Sequence, residues 1–174
     1  MARRVFFSFH YELDNWRASQ IRNIGVIEGN RPATDNEWEK IKSNGDKAIK
    51  RWINEQLCGK SCTIVLIGKK TAERKWIKYE IEKSWNDGKG VLGIYIHNLK
   101  DSNGKKTNKG KNPFDNCILN NGTKLSEIVK AYDPPFFNSK LVYDYIRQNI
   151  SRWIDEAISI RLNVKSMVKC QDLI

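Results

Sequence analysis

The stretch CTIVLIG, Cys62 to Gly68, decides the fold because it is a continuous run of apolar and β-branched residues. Such a run is typical of a strand buried on both faces, as in a parallel sheet covered by helices. Similar runs occur on either side of it along the chain, VFFSF from Val5 to Phe9 and VLGIYIH from Val91 to His97. The sequence therefore predicts a parallel sheet with at least three strands.

Helical patterns alternate with these strands, which is typical of an α/β fold. Asp14 and Asp46 are the expected N-caps of the first two helices, and Trp16 is expected on the inner side of the first. The expected bounds are about Asp14 to Ile24, Asp46 to Gly59, Thr71 to Gly88 and Ser139 to Arg161, with a short helical piece at about 37–41. A polar, lysine-rich loop is expected over 100–112.

The composition is that of a folded globular domain. The chain has 174 residues, 40% hydrophobic and 29% charged, which fits one domain with a single core. No apolar run approaches the roughly 18 residues that span a bilayer, and the first apolar run is too short for a signal peptide. The sequence therefore favours a cytoplasmic protein without a membrane partner.

The cysteines and the net charge say little about function. Cys58, Cys62, Cys117 and Cys170 lack a zinc-binding pattern, so we expect reduced thiols and no metal site. The formal net charge of +11 favours anionic partners such as nucleotides, nucleic acid or acidic protein surfaces. For the charge alone, a solvated lysine-rich surface is the simpler interpretation.

Ligands of open α/β sheets bind beyond the carboxyl ends of the strands. The ends of the three predicted strands are Ser8 to His10, Ile67 to Gly68 and His97 to Asn98. Ser8 and His10 carry polar groups where a core strand passes into a loop. We therefore expect a site at this edge of the sheet.

The helix in TAERKWIKYEIEKSWNDGK, Thr71 to Lys89, carries the most informative carboxylate. Its sheet-facing side is expected to consist of Ile77, Ile81, Ser84 and Trp85. Glu80 lies about 60° from Ile77 around the helix, so it falls at the margin of that side together with Trp76 and Lys83. Glu82 falls on the outer side and is expected to be solvated.

A carboxylate at the margin of a core is partly desolvated and held in one direction. Both properties suit electrostatic or acid-base chemistry. The alternative is a structural ion pair of Glu80 with Lys83 or Lys78, and the spacing alone leaves both interpretations open.

The segments RVFFSFHY, CTIVLIG and RKWIKYEIEKS, in this order, resemble the TIR-like proteins of bacterial anti-phage defence, and among them those of the Thoeris system. The resemblance extends over roughly residues 1 to 115 and includes KGKNPFD. It implies a flavodoxin-like sheet in a single TIR-like domain, 1–174, with a core of about 1–115 and a C-terminal amphipathic helical extension at about 139–165. The extension is predicted from its own periodicity.

The resemblance also implies an activity. Many bacterial TIR proteins cleave the nicotinamide–ribose bond of NAD⁺, and the Thoeris TIR proteins cyclise the product to a cyclic ADP-ribose-type signal that activates a separate effector protein. NAD⁺ would be a substrate and not a resident cofactor, in agreement with the absence of a Rossmann or Walker motif. Self-association on activation is a further implication.

The W-x-x-x-E context of the family places the catalytic glutamate at Glu80, four residues after Trp76. Ser8, Phe9 and His10 correspond to the first-strand box and its loop, where contacts to the ribose, phosphate or a base are expected. Trp76 and Lys83 are further candidates for substrate binding. Core packing of Phe9 and Trp76, and a surface position of His10, are the structural alternatives.

Two other functions compete with this interpretation. A TIR-like domain can act as a non-catalytic interaction module. The lysines of the 100–112 loop, Lys105, Lys106, Lys109 and Lys111, could bind nucleic acid, but no aromatic side chains are interleaved with them to stack on bases.

Overall fold

A five-stranded parallel sheet forms the centre of the computed structural model, which describes residues 3–25, 27–29, 35–164 and 169–170. The strands are β1 (Arg3–Ser8), β2 (Ile27–Gly29), β3 (Cys62–Ile67), β4 (Gly90–Tyr95) and β5 (Ala131–Tyr132). Their spatial order is β2-β1-β3-β4-β5, and each neighbouring pair is parallel. This order is flavodoxin-like and confirms the predicted fold class.

Helices cover both faces of the sheet. They are α1 (Tyr11–Arg22), α2 (Asp35–Ser43), α3 (Asp46–Leu57), α4 (Lys75–Asn86) and α5 (Ser139–Asn163). Apolar side chains of α1 and α5 pack on one face, and those of α3 and α4 pack on the other. The predicted end of the C-terminal extension, at residue 165, lies outside the described residues.

The alternation of side chains along β1 explains how one strand serves both faces. Val5 and Phe7 point into the core shared with α1 and α5, whereas Phe6 packs against Ile53 and Tyr79 of α3 and α4. All six residues of β3 are buried, as the continuous apolar run predicts. The central strand is therefore covered by helices on both sides.

Helix α5 is built into the core. Of the predicted apolar stripe, six residues are buried, Val142, Ile146, Ile150, Trp153, Ile154 and Ala157, and Tyr145 and Ile158 are partly buried against the same core. The polar residue Arg161 is buried as well. The Trp153 ring stacks on Tyr132 of β5, with centroids 4.2 Å apart. A Cβ atom on Gly90 would lie 2.8 Å from the backbone nitrogen of Ile158, so the start of β4 and α5 approach backbone to backbone.

The predicted N-terminus of α1 is wrong by one turn. The helix begins at Tyr11, and the Nδ1 atom of His10 accepts a hydrogen bond from the Leu13 amide at 3.4 Å, so His10 and not Asp14 is the cap. Asp14 is buried at the end of the first turn instead. Trp16 is 56% exposed because the inner side of α1 runs through Asp14, Arg17, Ala18 and Ile21.

Two further predictions about helix α4 and its neighbour are corrected. Glu82 is 2% exposed and not solvated, because the segments that hold Cys117 and Cys170 lie close to it; Lys78 approaches its carboxylate at 3.7 Å. Gly45, not Asp46, occupies the cap position of α3. The Asp46 carboxylate pairs with Lys75 Nζ at 2.6 Å and so links the starts of α3 and α4.

All four cysteines are free thiols, as predicted. Cys58 is exposed, whereas Cys62, Cys117 and Cys170 are buried. Burial raises the pKa of the Cys62 and Cys117 thiols, and it raises the pKa of Cys170 to about 12. None of the helices in the described part of the chain has the length and apolarity needed to span a membrane.

Candidate active site

The candidate site lies where the strand order reverses, between the carboxyl ends of β1 and β3. From β1 the chain enters α1 on one face of the sheet, whereas from β3 it enters α4 on the other face. The two connections diverge, and this divergence opens a crevice at the edge of the sheet. Ser8 ends β1 directly opposite Val65 of β3, so its side chain lies at the edge of this crevice.

Ser8 and Glu80 meet at this point. The Ser8 hydroxyl donates a short hydrogen bond to Oε2 of Glu80 across 72 residues of sequence. Ser8 is 1% exposed, whereas Glu80 is partly exposed and lies at the margin of the buried side of α4. One serine from the first strand therefore fixes the direction of the carboxyl group of a partly exposed residue.

Helix α4 is held in this position by buried hydroxyl groups. The Ser84 hydroxyl donates to the Glu80 carbonyl at 2.6 Å and lies 2.7 Å from the hydroxyl of Thr63 on β3. These contacts fix the turn that carries Glu80 on the central strand. Glu80 and its helix are therefore positioned from two strands, β1 and β3.

Among the described residues, Glu80 does not form the structural ion pair with Lys83 or Lys78 that was the alternative interpretation. Lys83 donates to Asp87 at 2.7 Å, and Lys78 lies 3.7 Å from Glu82. The lysines on either side of Glu80 are thus engaged with other carboxylates. The hydrogen bond from Ser8 is the polar contact that the structure gives to the Glu80 carboxylate.

Protein atoms closely surround the carboxyl group of Glu80, and this desolvation raises its pKa from 4.5 to about 8. The hydrogen bond from Ser8 acts in the opposite direction, because it favours the ionised form. A carboxyl group with a pKa near neutrality, on the wall of a crevice, is typical of a functional site.

His10 stands at the start of α1, two residues after Ser8. It is 6% exposed, and burial lowers the pKa of its imidazole, with a further lowering by the positive charge of Arg74. The imidazole is therefore neutral at neutral pH. The effect of Arg74 also shows that the connection between β3 and α4 brings a cation towards the same edge.

The remaining sequence-predicted residues are more dispersed. Phe9 packs on the opposite face of the sheet from Ser8, and Arg22 lies 6.0 Å from its ring centroid. Trp76 is partly buried, edge-on to Tyr79 at 5.8 Å. Lys83 points to Asp87 at the far end of α4. The structure thus brings Ser8 together with Glu80 and keeps His10 at the same edge.

The buried ion pair Asp14–Arg17 beside the crevice was not predicted from the sequence. The Arg17 guanidinium donates to Asp14 at 3.1 Å and to the carbonyls of Leu99 and Lys105 at 2.8 and 2.9 Å. Oδ2 of Asp14 has no hydrogen-bond partner among the described residues, and it lies where a Cβ atom on Gly68 would be. Two charged residues three apart on the inner side of an apolar helix were the available signal.

The connection after β3 is closed by Thr71. Its hydroxyl accepts a hydrogen bond from the Gly68 amide at 2.8 Å and donates to the Leu66 carbonyl at 3.4 Å. Thr71 is fully buried and begins a 3-10 turn, Thr71–Glu73, one residue ahead of Arg74. The side chain that the sequence marked as a helix start therefore shapes the turn beside the crevice.

A sequence model of one protein family, described as the TIR-like domain of the Thoeris protein ThsB, matches residues 6–101. The matched range extends from β1 to the loop after β4. It includes Ser8, His10 and Glu80, the residues that stand at or near the crevice.

A protein of Bacillus cereus (strain MSX-D12), named "Putative cyclic ADP-D-ribose synthase ThsB1", is 44% identical over 120 residues. The aligned part covers 66% of this chain and 62% of that protein. The chain therefore spans less than two thirds of the length of the relative that it matches.

Proposed function

This chain belongs to the family of ThsB TIR-like domains, and we propose that it cleaves the nicotinamide–ribose bond of NAD⁺ and cyclises the ADP-ribosyl product. The observation that carries the proposal is the Ser8–Glu80 hydrogen bond at the switch point of the sheet. The printed name of the Bacillus cereus relative, a cyclic ADP-D-ribose synthase, supports the same reaction.

Glu80 suits the chemistry of bond cleavage. Departure of nicotinamide neutralises its ring and leaves positive charge on the ribose, so the transition state is oxocarbenium-like. An oriented carboxylate beside C1′ stabilises that charge and accepts hydrogen bonds from the ribose hydroxyls. With its pKa near 8, Glu80 is mostly protonated at neutral pH, and the positive charge of the bound nicotinamide ring favours the carboxylate form.

The other site residues have positioning or binding roles in this proposal. Ser8 holds the Glu80 carboxylate in one direction, and neutral His10 contacts ribose or phosphate at the same edge. Trp76 shapes the wall beside Glu80. Phe9 and Lys83 are proposed as substrate contacts from the family resemblance alone. In the structure Phe9 lies next to Arg22, and Lys83 donates to Asp87.

Cyclisation requires that a nitrogen of the base reaches C1′ before water does. Holding the two ends of one molecule in contact converts the ring closure into a favourable unimolecular step, and exclusion of water prevents hydrolysis to linear ADP-ribose. NAD⁺ is then a substrate, and no resident cofactor or metal is part of the proposal. The cyclic nucleotide acts as a diffusible signal for a separate effector in the cytoplasm.

We also propose that residues 1–174 act as one TIR-like domain that self-associates on activation. The contacts of α5 support the single domain, because Trp153 stacks on β5 and the backbone of α5 approaches Gly90 of β4. A core of about 1–115 alone would lack β5 and α5. The contacts of the described part of the extension, Ser139–Asn163, therefore support its place in the same core.

Mass spectrometry of nucleotides from phage-infected cells tests the function. We expect a cyclic ADP-ribose-type nucleotide in cells with the wild-type protein and none in cells with Glu80→Gln. The exposed residue Glu55 offers a matched control, since Glu55→Gln removes one carboxylate outside the site. A signal of equal size in the Glu80→Gln cells would refute the role of Glu80. Its absence from all three would favour a non-catalytic interaction module.

A further inference from the structure

Exposed apolar side chains are concentrated on one part of the surface. Large exposed hydrophobic residues among those described are Leu13, Trp16, Phe136, Phe137, Leu141 and Leu162. All but Leu162 belong to the outer side of α1 or to the segment that enters α5. Trp16 is 56% and Phe137 is 83% exposed, which is unusual for side chains of this size.

A groove of about 500 Å³ lies between α1 and the segment that enters α5, the two parts of the chain that carry all of these residues except Leu162. The groove is lined by Gln20, Lys100, Lys106, Asn138, Ser139, Lys140 and Tyr143. On α1, Leu13, Trp16 and Gln20 follow each other at helical spacing, so the apolar rim continues directly into the lining. On the other side, Phe137 and Leu141 flank the lining residues at the start of α5.

The groove is positively charged. Its lining contains three lysines and no acidic residue. Lys106 donates to the Phe137 carbonyl, whereas neither Lys100 nor Lys140 lies within ion-pair distance of a carboxylate in the part of the chain that the structure describes. The surface thus combines unneutralised positive charge with an apolar rim, the reverse of an ordinary solvated lysine face.

We propose that this groove is the docking site of an acidic, amphipathic segment of a partner protein. Carboxylates of the segment would pair with Lys100, Lys106 and Lys140, and one or two large apolar side chains would pack on Trp16 and Phe137. Here the charge pairs would form inside the groove and the apolar side chains would pack at its edge, so charge complementarity sets the orientation of the segment and the large apolar side chains act as anchors. The two flanking helices suit a helix-in-groove mode of recognition.

Other occupants match the groove less well. A second copy of this chain carries a formal charge of +11, and the α5 carboxylates Asp144, Asp155 and Glu156 each pair with a basic residue of the same chain. Single-stranded nucleic acid would use the lysines and stack on Trp16 and Phe137, but it would leave the exposed aliphatic Leu13 and Leu141 uncovered, whereas an amphipathic segment can pack on them.

The buried ion pair Asp14–Arg17 lies between the groove and the crevice of the proposed active site. Arg17 bonds the carbonyls of Leu99 and Lys105 beside the groove, and its partner Asp14 lies against Gly68 beyond β3.

Binding is tested with fluorescence polarisation of three labelled probes on the full chain. The first is a peptide of about 15 residues with glutamates and with leucine and phenylalanine at helical spacing. The second has the same charge but serine in place of the apolar residues, and the third is an oligothymidylate of equal charge. We expect the first probe to bind at least about tenfold more tightly than the other two.

Variants locate the binding. Trp16→Ser with Phe137→Ser, and separately Lys100→Glu with Lys140→Glu, should each weaken the first probe by at least about tenfold. Lys47→Glu with Arg51→Glu is the matched control, since these residues line a second basic surface pocket, with Cys58, on α3. Lys100→Glu with Lys140→Glu should also gain affinity for a peptide in which lysine replaces glutamate. Thermal unfolding checks that each variant is folded.

Three results would overturn the proposal. The first is equal binding of the acidic peptide and its serine control, which would reduce the effect to net charge. The second is a loss that is as large in the α3 control as in the groove variants. The third is tighter binding of the oligothymidylate, lost in the groove variants, which would assign the groove to nucleic acid.

Discussion

The hydroxyl of Ser8 and the carboxyl group of Glu80 form the polar contact that joins the first strand of the sheet to helix α4. Burial raises the pKa of Glu80, and the hydrogen bond from Ser8 lowers it because that bond favours the ionised form. The two residues thus set one property together, the pH at which the site gains its negative charge. Each can be changed without altering the apolar core.

Ser8→Ala should shift the pH dependence of NAD⁺ turnover to higher pH. If the carboxylate form of Glu80 is required, wild-type kcat/KM rises with pH through an apparent pKa near 8. Loss of a hydrogen bond to a charged group, about 1.5–3 kcal/mol, raises that pKa by about 1–2 units. Ser43→Ala on α2 is a matched control, since its hydroxyl donates to the Lys40 carbonyl away from the site. An unshifted profile in Ser8→Ala would separate Ser8 from Glu80.

Glu80→Gln should stabilise the fold, and the gain should grow with pH. The pKa of Glu80 is 4.5 when the group is exposed to water, as in the unfolded chain, and about 8 in the folded chain. The folded state therefore binds the proton of Glu80 more tightly than the unfolded state does. Wild-type stability from this group is complete below about pH 4.5 and is lost as the pH rises towards 8. Glutamine cannot ionise and avoids this loss.

The measurement is the difference in Tm between Glu80→Gln and wild type at about pH 5 and about pH 8.5. We expect a larger difference at the higher pH. Glu55→Gln, on the exposed side of α3, controls for the removal of one negative charge. A Tm difference that stays constant or becomes smaller at the higher pH would show that burial does not disfavour the ionised form of Glu80.

Arg17→Ala should destabilise the fold strongly because it leaves the Asp14 carboxylate buried without its cation. Loss of one partner of a buried ion pair costs about 3–5 kcal/mol. The double variant Arg17→Ala with Asp14→Ala should lose less than the sum of the two single variants, since the second change removes the uncompensated charge. Urea unfolding of the four proteins measures this coupling. Additive losses would mean that Arg17 acts only through the carbonyls of Leu99 and Lys105.

Gly90→Ala should destabilise the chain by about 1–3 kcal/mol, the usual cost of overpacking. The added methyl group would lie 2.8 Å from the Ile158 nitrogen and 3.0 Å from the Ala157 carbonyl carbon, so α5 must move away from the sheet. Gly25→Ala is the control, because no atom lies within 4 Å of its added methyl group. Equal stability of the two variants in urea would show that α5 is not packed on β4 and would argue against a single domain.

The parts of the fold that the sequence predicted share a strong local pattern. β3 and β4 are long apolar runs, and α3, α4 and α5 have apolar residues at helical spacing. β2 and β5 escaped prediction because strands of three and two residues, at the edges of the sheet, are too short to show any period. Their pairing with β1 and β4 is set by the tertiary fold.

The wrong predictions about individual side chains have one physical source. A helical wheel tells which residues share a side, but not what the rest of the chain brings against the other side. Glu82 is buried because segments distant in sequence, around Cys117 and Cys170, cover the outer side of α4. Asp14 is buried because Arg17 supplies its counter-charge, a pairing that removes the usual reason to place a carboxylate in water.

The placement of Glu80 at the margin of α4 followed from periodicity alone. The contact of Glu80 with Ser8 could not be predicted in this way, because no local pattern relates two residues that are 72 positions apart. Only the parallel pairing of β1 with β3, on which α4 packs, brings the two side chains together. Their roles in catalysis are predictions that the Ser8 and Glu80 variants can decide.

The buried cysteines can serve as probes of local opening motions of the fold. Cys62 lies in the core beneath α1 and α5, whereas Cys117 and Cys170 lie in the core beneath α4. Their raised pKa values and burial make the native thiols unreactive, so alkylation must wait until the corresponding layer opens. Pulsed alkylation followed by mass spectrometry of the peptides would therefore measure the opening rate of each face of the sheet separately. The exposed Cys58 would give the alkylation rate of an unprotected thiol for comparison.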